Sequence, residues 1–149
     1  GGKLFLSGSQ LTEDWGDAFA TLDNVRLNDT AFQRRYLKVL NAEGDAQTRT
    51  IAGGAGVFAD VGSFNLDDGR MSYAVAAPDV IHPDGGALVC LRYAGGAPAG
   101  LQYEGAFDGG AAAGKLIYLG FPLESVIEAS ARNALVNRAL NFFGIARGR

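Results

Sequence analysis

Two apolar runs, one near each end of the chain, set the tightest limits on how it can fold. The first is Gly2-Lys3-Leu4-Phe5-Leu6-Ser7-Gly8-Ser9-Gln10, in which three consecutive apolar residues stop at a hydroxyl and a glycine. The second is Lys115-Leu116-Ile117-Tyr118-Leu119-Gly120-Phe121-Pro122-Leu123-Glu124, which runs into a glycine and then a carboxylate. An unbroken apolar run suits a strand covered on both faces, because a strand with one wet face alternates. In an open sheet of such strands a site lies beyond their carboxyl ends. The two strand ends are therefore expected to face each other, with Ser7 on one and Glu124 on the other.

The stretches between them predict a mixed sheet with helices near its first and last strands. A short helix is expected over 10–20, capped by Thr12 with Glu13, Asp14 and Trp15 in its first turn. A second is expected to start at Asn28 or Asp29, because Phe32, Tyr36 and Leu40 recur every four residues; Arg34, Arg35 and Lys38 would then face water. Residues 47–51 alternate like an exposed or edge strand, and 71–75 read as another short one. The segment 78–83 reads as a loop stiffened by Pro78 and Pro83. Strands over 87–93, 99–107 and 115–119 follow too closely for crossover helices, so they should pair antiparallel, with Gly95-Gly96 and Gly109-Gly110 as the turns. A last helix is expected from about Glu124 to Phe143, with Ile127, Ala131, Leu135, Ala139 and Phe142 in helical register and Gly144 as its stop.

A length of 149 residues accommodates one domain with a core. With 48% hydrophobic and 19% charged residues the chain has the composition of a globular protein. A formal charge of −3 provides no basic field for nucleic acid, and no run is long enough to span a membrane. The single Cys90 excludes an internal disulfide and reads as a small buried hydrophobe. No signal-like segment is present, so a secretion signal, if the protein is exported, is expected upstream of Gly1.

Four segments stand in a telling order: Gly2 to Gln10, the Phe32-x-x-x-Tyr36-Leu37 segment, the Gly69, Tyr73, Val75, Pro78-Asp79 succession, and the closing Gly114 to Glu124 with Arg132, Leu140, Phe142 and Phe143. Together they resemble class I glutamine-amidotransferase-like domains of the kind attached to secreted or surface bacterial proteins. The resemblance implies an α/β fold: a flavodoxin-like or amidotransferase-like mixed sheet flanked by helices. The domain spans 1–149 with a loop-rich insertion over 53–86, its opening βα units expected before Gly1. It also implies a place in the extracellular space or cell envelope, as part of a larger protein. In active members of the family a cysteine follows the first strand, and a histidine and a glutamate follow the late one. Carried over, Ser7 stands at or beside the nucleophile position and Glu124 at the glutamate, while Phe121-Pro122 fill the histidine position. A serine hydroxyl without a base is a weak nucleophile, so glutaminase chemistry is not expected.

The leading expectation is a non-catalytic scaffold or binding domain. If its first strand lacks parallel neighbours, the missing N-terminal half, another domain or a second copy must cover that apolar edge. An alternative is a hydrolase or polysaccharide-processing enzyme with a rearranged site at Ser7, Glu124 and His82. His82 is the sole histidine and would serve only if its loop folds over the sheet end near Ser7. A third is a carbohydrate- or calcium-binding module: Asn65, Asp67 and Asp68 offer oxygen ligands of the kind calcium accepts, although Asx turns are the first expectation for them. Trp15, Tyr73, Tyr93, Tyr103 and Tyr118 are candidates for sugar stacking or for the core. Hydroxyls of Ser7 and Ser9 are expected first to cap the following helix or satisfy the turn's amides.

Overall fold

The two apolar runs become neighbouring parallel strands, but only the second is covered on both faces; the first, expected to be buried on both, is an outer strand with Leu4 exposed and Phe5 and Leu6 half-buried. The computed structural model describes residues 1–11 and 32–145. Almost all of the helix expected over 10–20, with Thr12, Glu13, Asp14 and Trp15, and the start of the second at Asn28 or Asp29, lie outside the described residues. Among the described residues, strands run over Lys3–Ser7 (β1), Val39–Glu43 (β2), Thr50–Gly53 (β3), Phe64–Asn65 (β4), Val80–Pro83 (β5), Leu88–Tyr93 (β6), Pro98–Ala106 (β7) and Ala113–Leu119 (β8). One α-helix, Ala129–Phe142 (α1), follows.

The main sheet has the order β1-β8-β7-β6-β3-β4, and β2 and β5 form a separate antiparallel pair. Only β1 and β8 are parallel, with Lys3 opposite Lys115 and Ser7 opposite Leu119. The closely spaced β6, β7 and β8 pair antiparallel. The fold is thus mixed α/β with a six-stranded mixed sheet.

Both faces of this sheet are covered at β8, which explains the absence of alternation there. Ile117 and Leu119 point to the side where Leu135, Ala139 and Phe143 pack. Leu116 and Tyr118 point to the other, where Leu37, Val39 and Ile81 pack from the small sheet. Side chains one residue apart leave opposite faces of a strand, so every position of the run is inside.

Six local expectations are corrected. The helix expected through Leu40 ends early, as a π-helical turn over Gln33–Leu37 closed by left-handed Lys38, φ +57°; β2 begins at the next residue. Leu37 and Val39 enter the core instead, leaving Phe32, Tyr36 and Leu40 exposed. Lys38 does not face water: it is buried, its ammonium 4.6 Å from the ring centre of Tyr103 and 5.3 Å from that of Phe107, a cation–π cradle. The segment expected at an edge enters the sheet interior as β3, between β4 and β6, with Ile51 fully buried. The loop expected over 78–83 contains β5, paired to β2, and 71–75 forms no strand. Finally, α1 starts at Ala129 instead of Glu124. Glu124 sits in a 3-10 turn, Leu123–Ser125, and the next residues are drawn extended by the Leu66–Val126 bridge and the bond from Ile127 N to Asn65 O, 2.8 Å.

Candidate functional site

The carboxyl ends of β1 and β8 are tied together from below by Asp79. Its amide donates to the Gly120 carbonyl at 2.7 Å, and its Oδ1 accepts the Gln10 amide at 2.8 Å. The hydroxyl of buried Tyr93 donates to the Asp79 carbonyl at 2.9 Å. Gly120 permits this approach, since a Cβ there would stand 2.4 Å from the Asp79 carbonyl oxygen. Gln10 takes a left-handed conformation, φ +60°, that non-glycine residues adopt at a cost. One fully buried aspartate therefore fixes the turn after β1 against the exit of β8.

A second aspartate builds the neighbouring wall. Asp67 is buried, and its two carboxylate oxygens accept the backbone amides of Gly69, Arg70, Met71, Ser72 and Tyr73. Such bonds favour the charged carboxylate and, led by the one from Ser72, hold its pKa down at about 2 against the opposing effect of burial. The Asp67 amide donates to Ser125 O at 2.7 Å, and its carbonyl accepts Val75 N at 3.1 Å. The 67–75 segment is thereby closed on itself and moored to the 3-10 turn that carries Glu124. It delivers the Tyr73 hydroxyl to Glu124 Oε1 at 3.2 Å. Burial and then the Glu124 charge raise the Tyr73 hydroxyl above its ordinary pKa.

Between these walls and the first turns of α1 lies an open cleft of about 560 Å³. Ser7 and Glu124 both line it, as the facing strand ends predict. So do Ser72, Arg132 and Asn133, which sequence reasoning did not select for a site. Arg132 is anchored by Nη1, which donates to the carbonyls of Val126 and Ile127. No other hydrogen bond is made by its Nε or Nη2, nor by the side chains of Ser7, Ser72 or Asn133, among the described residues. Ser7 therefore does not spend its hydroxyl on capping the turn. The cleft combines several unengaged donors with two carboxylates, Glu124 and Asp67, the second with both oxygens already taken by backbone amides.

His82 is not there. It lies on β5 in the small sheet, packed against the other face, with Nε2 2.9 Å from Glu43 Oε1. Cys90 is fully buried in β6, and burial pushes its thiol up to about 12. The three oxygen-ligand candidates engage different partners: Asp67 the backbone amides, Asp68 the Arg70 guanidinium at 3.2 Å, and Asn65 the Glu128 carboxylate at 3.0 and 3.1 Å. Among the described residues no group of three or more His, Cys, Asp or Glu side chains is placed to hold a metal. Tyr93 and Tyr118 are core residues, Tyr103 packs edge-on against Phe107, and Tyr73 donates to Glu124, which lines the cleft. Comparison with known proteins finds no matching family model, no matching curated protein and no matching solved structure.

Proposed function

We propose that this chain is a non-catalytic binding domain whose ligand seats in the cleft beyond β1 and β8. The observation that carries the reading is the composition of that cleft. Ser7 and Glu124 share it, while the sole imidazole sits on the small sheet and the sole thiol is buried. A serine without an adjacent base is a poor nucleophile, and the unengaged hydroxyl, amide and guanidinium donors suit recognition of a polar ligand.

The wider reading places the domain in a larger extracellular or cell-envelope bacterial protein, and rests on the resemblance of its segments to amidotransferase-like modules. β1 is the outer strand of the sheet and pairs with β8 alone among the described residues. An adjoining domain, the N-terminal half of a complete module or a second copy would pair there.

The alternative, a hydrolase built on Ser7 and Glu124, is separated by reactivity. The folded protein is treated with a fluorophosphonate and with a panel of esters and amides, and its intact mass is followed. A binding domain stays unmodified and turns over none of them. A stoichiometric adduct on Ser7, absent from Ser7→Ala, establishes the hydrolase instead.

A further inference from the structure

The cleft is lined by the Arg132 guanidinium and by two carboxylates, Glu124 and Asp67, and since backbone amides already take up Asp67, the first two define a ligand chemistry. Arg132 is held at one nitrogen by two backbone carbonyls, so its guanidinium is fixed before any ligand arrives. Its Nε and Nη2 make no hydrogen bond to other described residues, although its charge acts on the Glu128 carboxylate. That edge is the fork which matches a carboxylate with two parallel bonds, and prior anchoring reduces the ordering that binding requires. Glu124 lines the same cleft, and Tyr73 engages its Oε1. A compact inorganic anion at Arg132 offers the Glu124 carboxylate no donor. A ligand with hydroxyl groups beside its acid offers donors to Glu124. The hydroxyls of Ser7 and Ser72 and the amide of Asn133 can each both donate and accept, so they match further hydroxyls.

We propose that the cleft recognises a carboxylate flanked by hydroxyl groups, the chemistry of a sugar acid, with Arg132 reading the carboxylate and Glu124 the hydroxyls. The assignment rests on the cleft being the binding site. Its source is either a free hydroxy acid or a uronate unit within a chain.

The test titrates the ¹⁵N-labelled chain with galacturonic acid, trigalacturonic acid, galactose and the tripeptide Ala-Ala-Ala, and follows the amide signals of the cleft residues. Galacturonic acid is expected to move these signals and to bind at least about tenfold more tightly than galactose. Arg132→Gln should remove that preference. Because this variant also gives up the bonds to Val126 and Ile127, Asn133→Asp supplies an independent check. It adds a negative charge to the cleft while keeping those bonds, and should weaken galacturonic acid by a larger factor than galactose, whose hydroxyls lose only the Asn133 amide. Tighter binding of the trimer than of the monomer identifies a chain as the source, and equal binding a free acid; both support the proposal. If galactose binds as well as galacturonic acid, or the tripeptide binds better, the carboxylate–hydroxyl assignment falls while the cleft stands as a binding site. If none of the four moves the cleft signals, the assignment and the cleft reading fall together.

Discussion

The tie between Asp79 and the end of β8 makes Gly120→Ala the most informative single substitution. The added methyl carbon would lie 2.4 Å from the Asp79 carbonyl oxygen and 3.2 Å from its carbon. Both are backbone atoms, so no side chain can swing away, and the two segments must separate by close to an ångström. Overpacking of this kind costs about 1–3 kcal/mol. The same movement disrupts the 2.7 Å bond from Asp79 N to Gly120 O. A buried polar group left unpaired there adds about 1–3 kcal/mol. The expected loss is about 3 kcal/mol in urea unfolding followed by far-UV circular dichroism. For a chain of this size that corresponds to a fall in melting temperature of about 10 °C. Gly62→Ala is the control, since a Cβ there meets nothing within 4 Å. It should leave stability unchanged or raise it by about 0.5 kcal/mol through the unfolded chain. Should Gly120→Ala match the wild type to within about 0.5 kcal/mol, the close approach that shapes the site is not there.

Three further outcomes follow from the same geometry. Asp67 has its carboxylate pKa lowered to about 2, so its stabilising effect is complete above the ordinary value near about 4 and disappears as pH falls through about 2; urea midpoints should drop across that window in the wild type and drop less in Asp67→Asn, and identical slopes would contradict the amide cradle. Cys90 is buried with its thiol pushed up to about 12, so Ellman's reagent at pH 8 should find no thiol in the folded chain and one after denaturation. With both Asp67 oxygens occupied by backbone amides, neither calcium nor a chelator should shift the melting temperature; a rise on adding calcium would restore the metal reading of Asn65, Asp67 and Asp68.

What sequence reasoning recovered and what it missed divide along the range of the interactions involved. The parallel pairing of β1 and β8 is legible because consecutive apolar residues such as Leu116 to Leu119 admit no wet face. The antiparallel β6–β8 run is legible because Gly95-Gly96 and Gly109-Gly110 leave no room for a helix. From these two facts the meeting of Ser7 and Glu124 follows. His82 reads as a loop residue because its neighbours Pro83 and Asp84 are turn formers, and only β2, some forty residues earlier, makes the segment a strand. Lys38 reads as exposed because its cradle comes from Tyr103 and Phe107, far along the chain. Helical spacing of Phe32, Tyr36 and Leu40 competes with the burial of Leu37 and Val39, and the core prevails. Asp67 carries the same oxygens whether it binds a cation or gathers amides, so the fold of 69–73 decides between them. Arg132 carries no local sign of its role, because the carbonyls that anchor it are freed only by the extended residues ahead of α1.

The central claim is that the hydroxyl at Ser7 has no imidazole to activate it, and a thiol in its place reports this directly. In Ser7→Cys, alkylation rate is measured against pH, with buried Cys90 silent. The account predicts a single ionisation near the ordinary thiol value of about 8.5, or below it by no more than the charge of Arg132 produces, and the same profile in Ser7→Cys/His82→Ala. A thiolate already formed below about pH 6 that reverts when His82 is removed would place the imidazole beside residue 7 and overturn the non-catalytic reading.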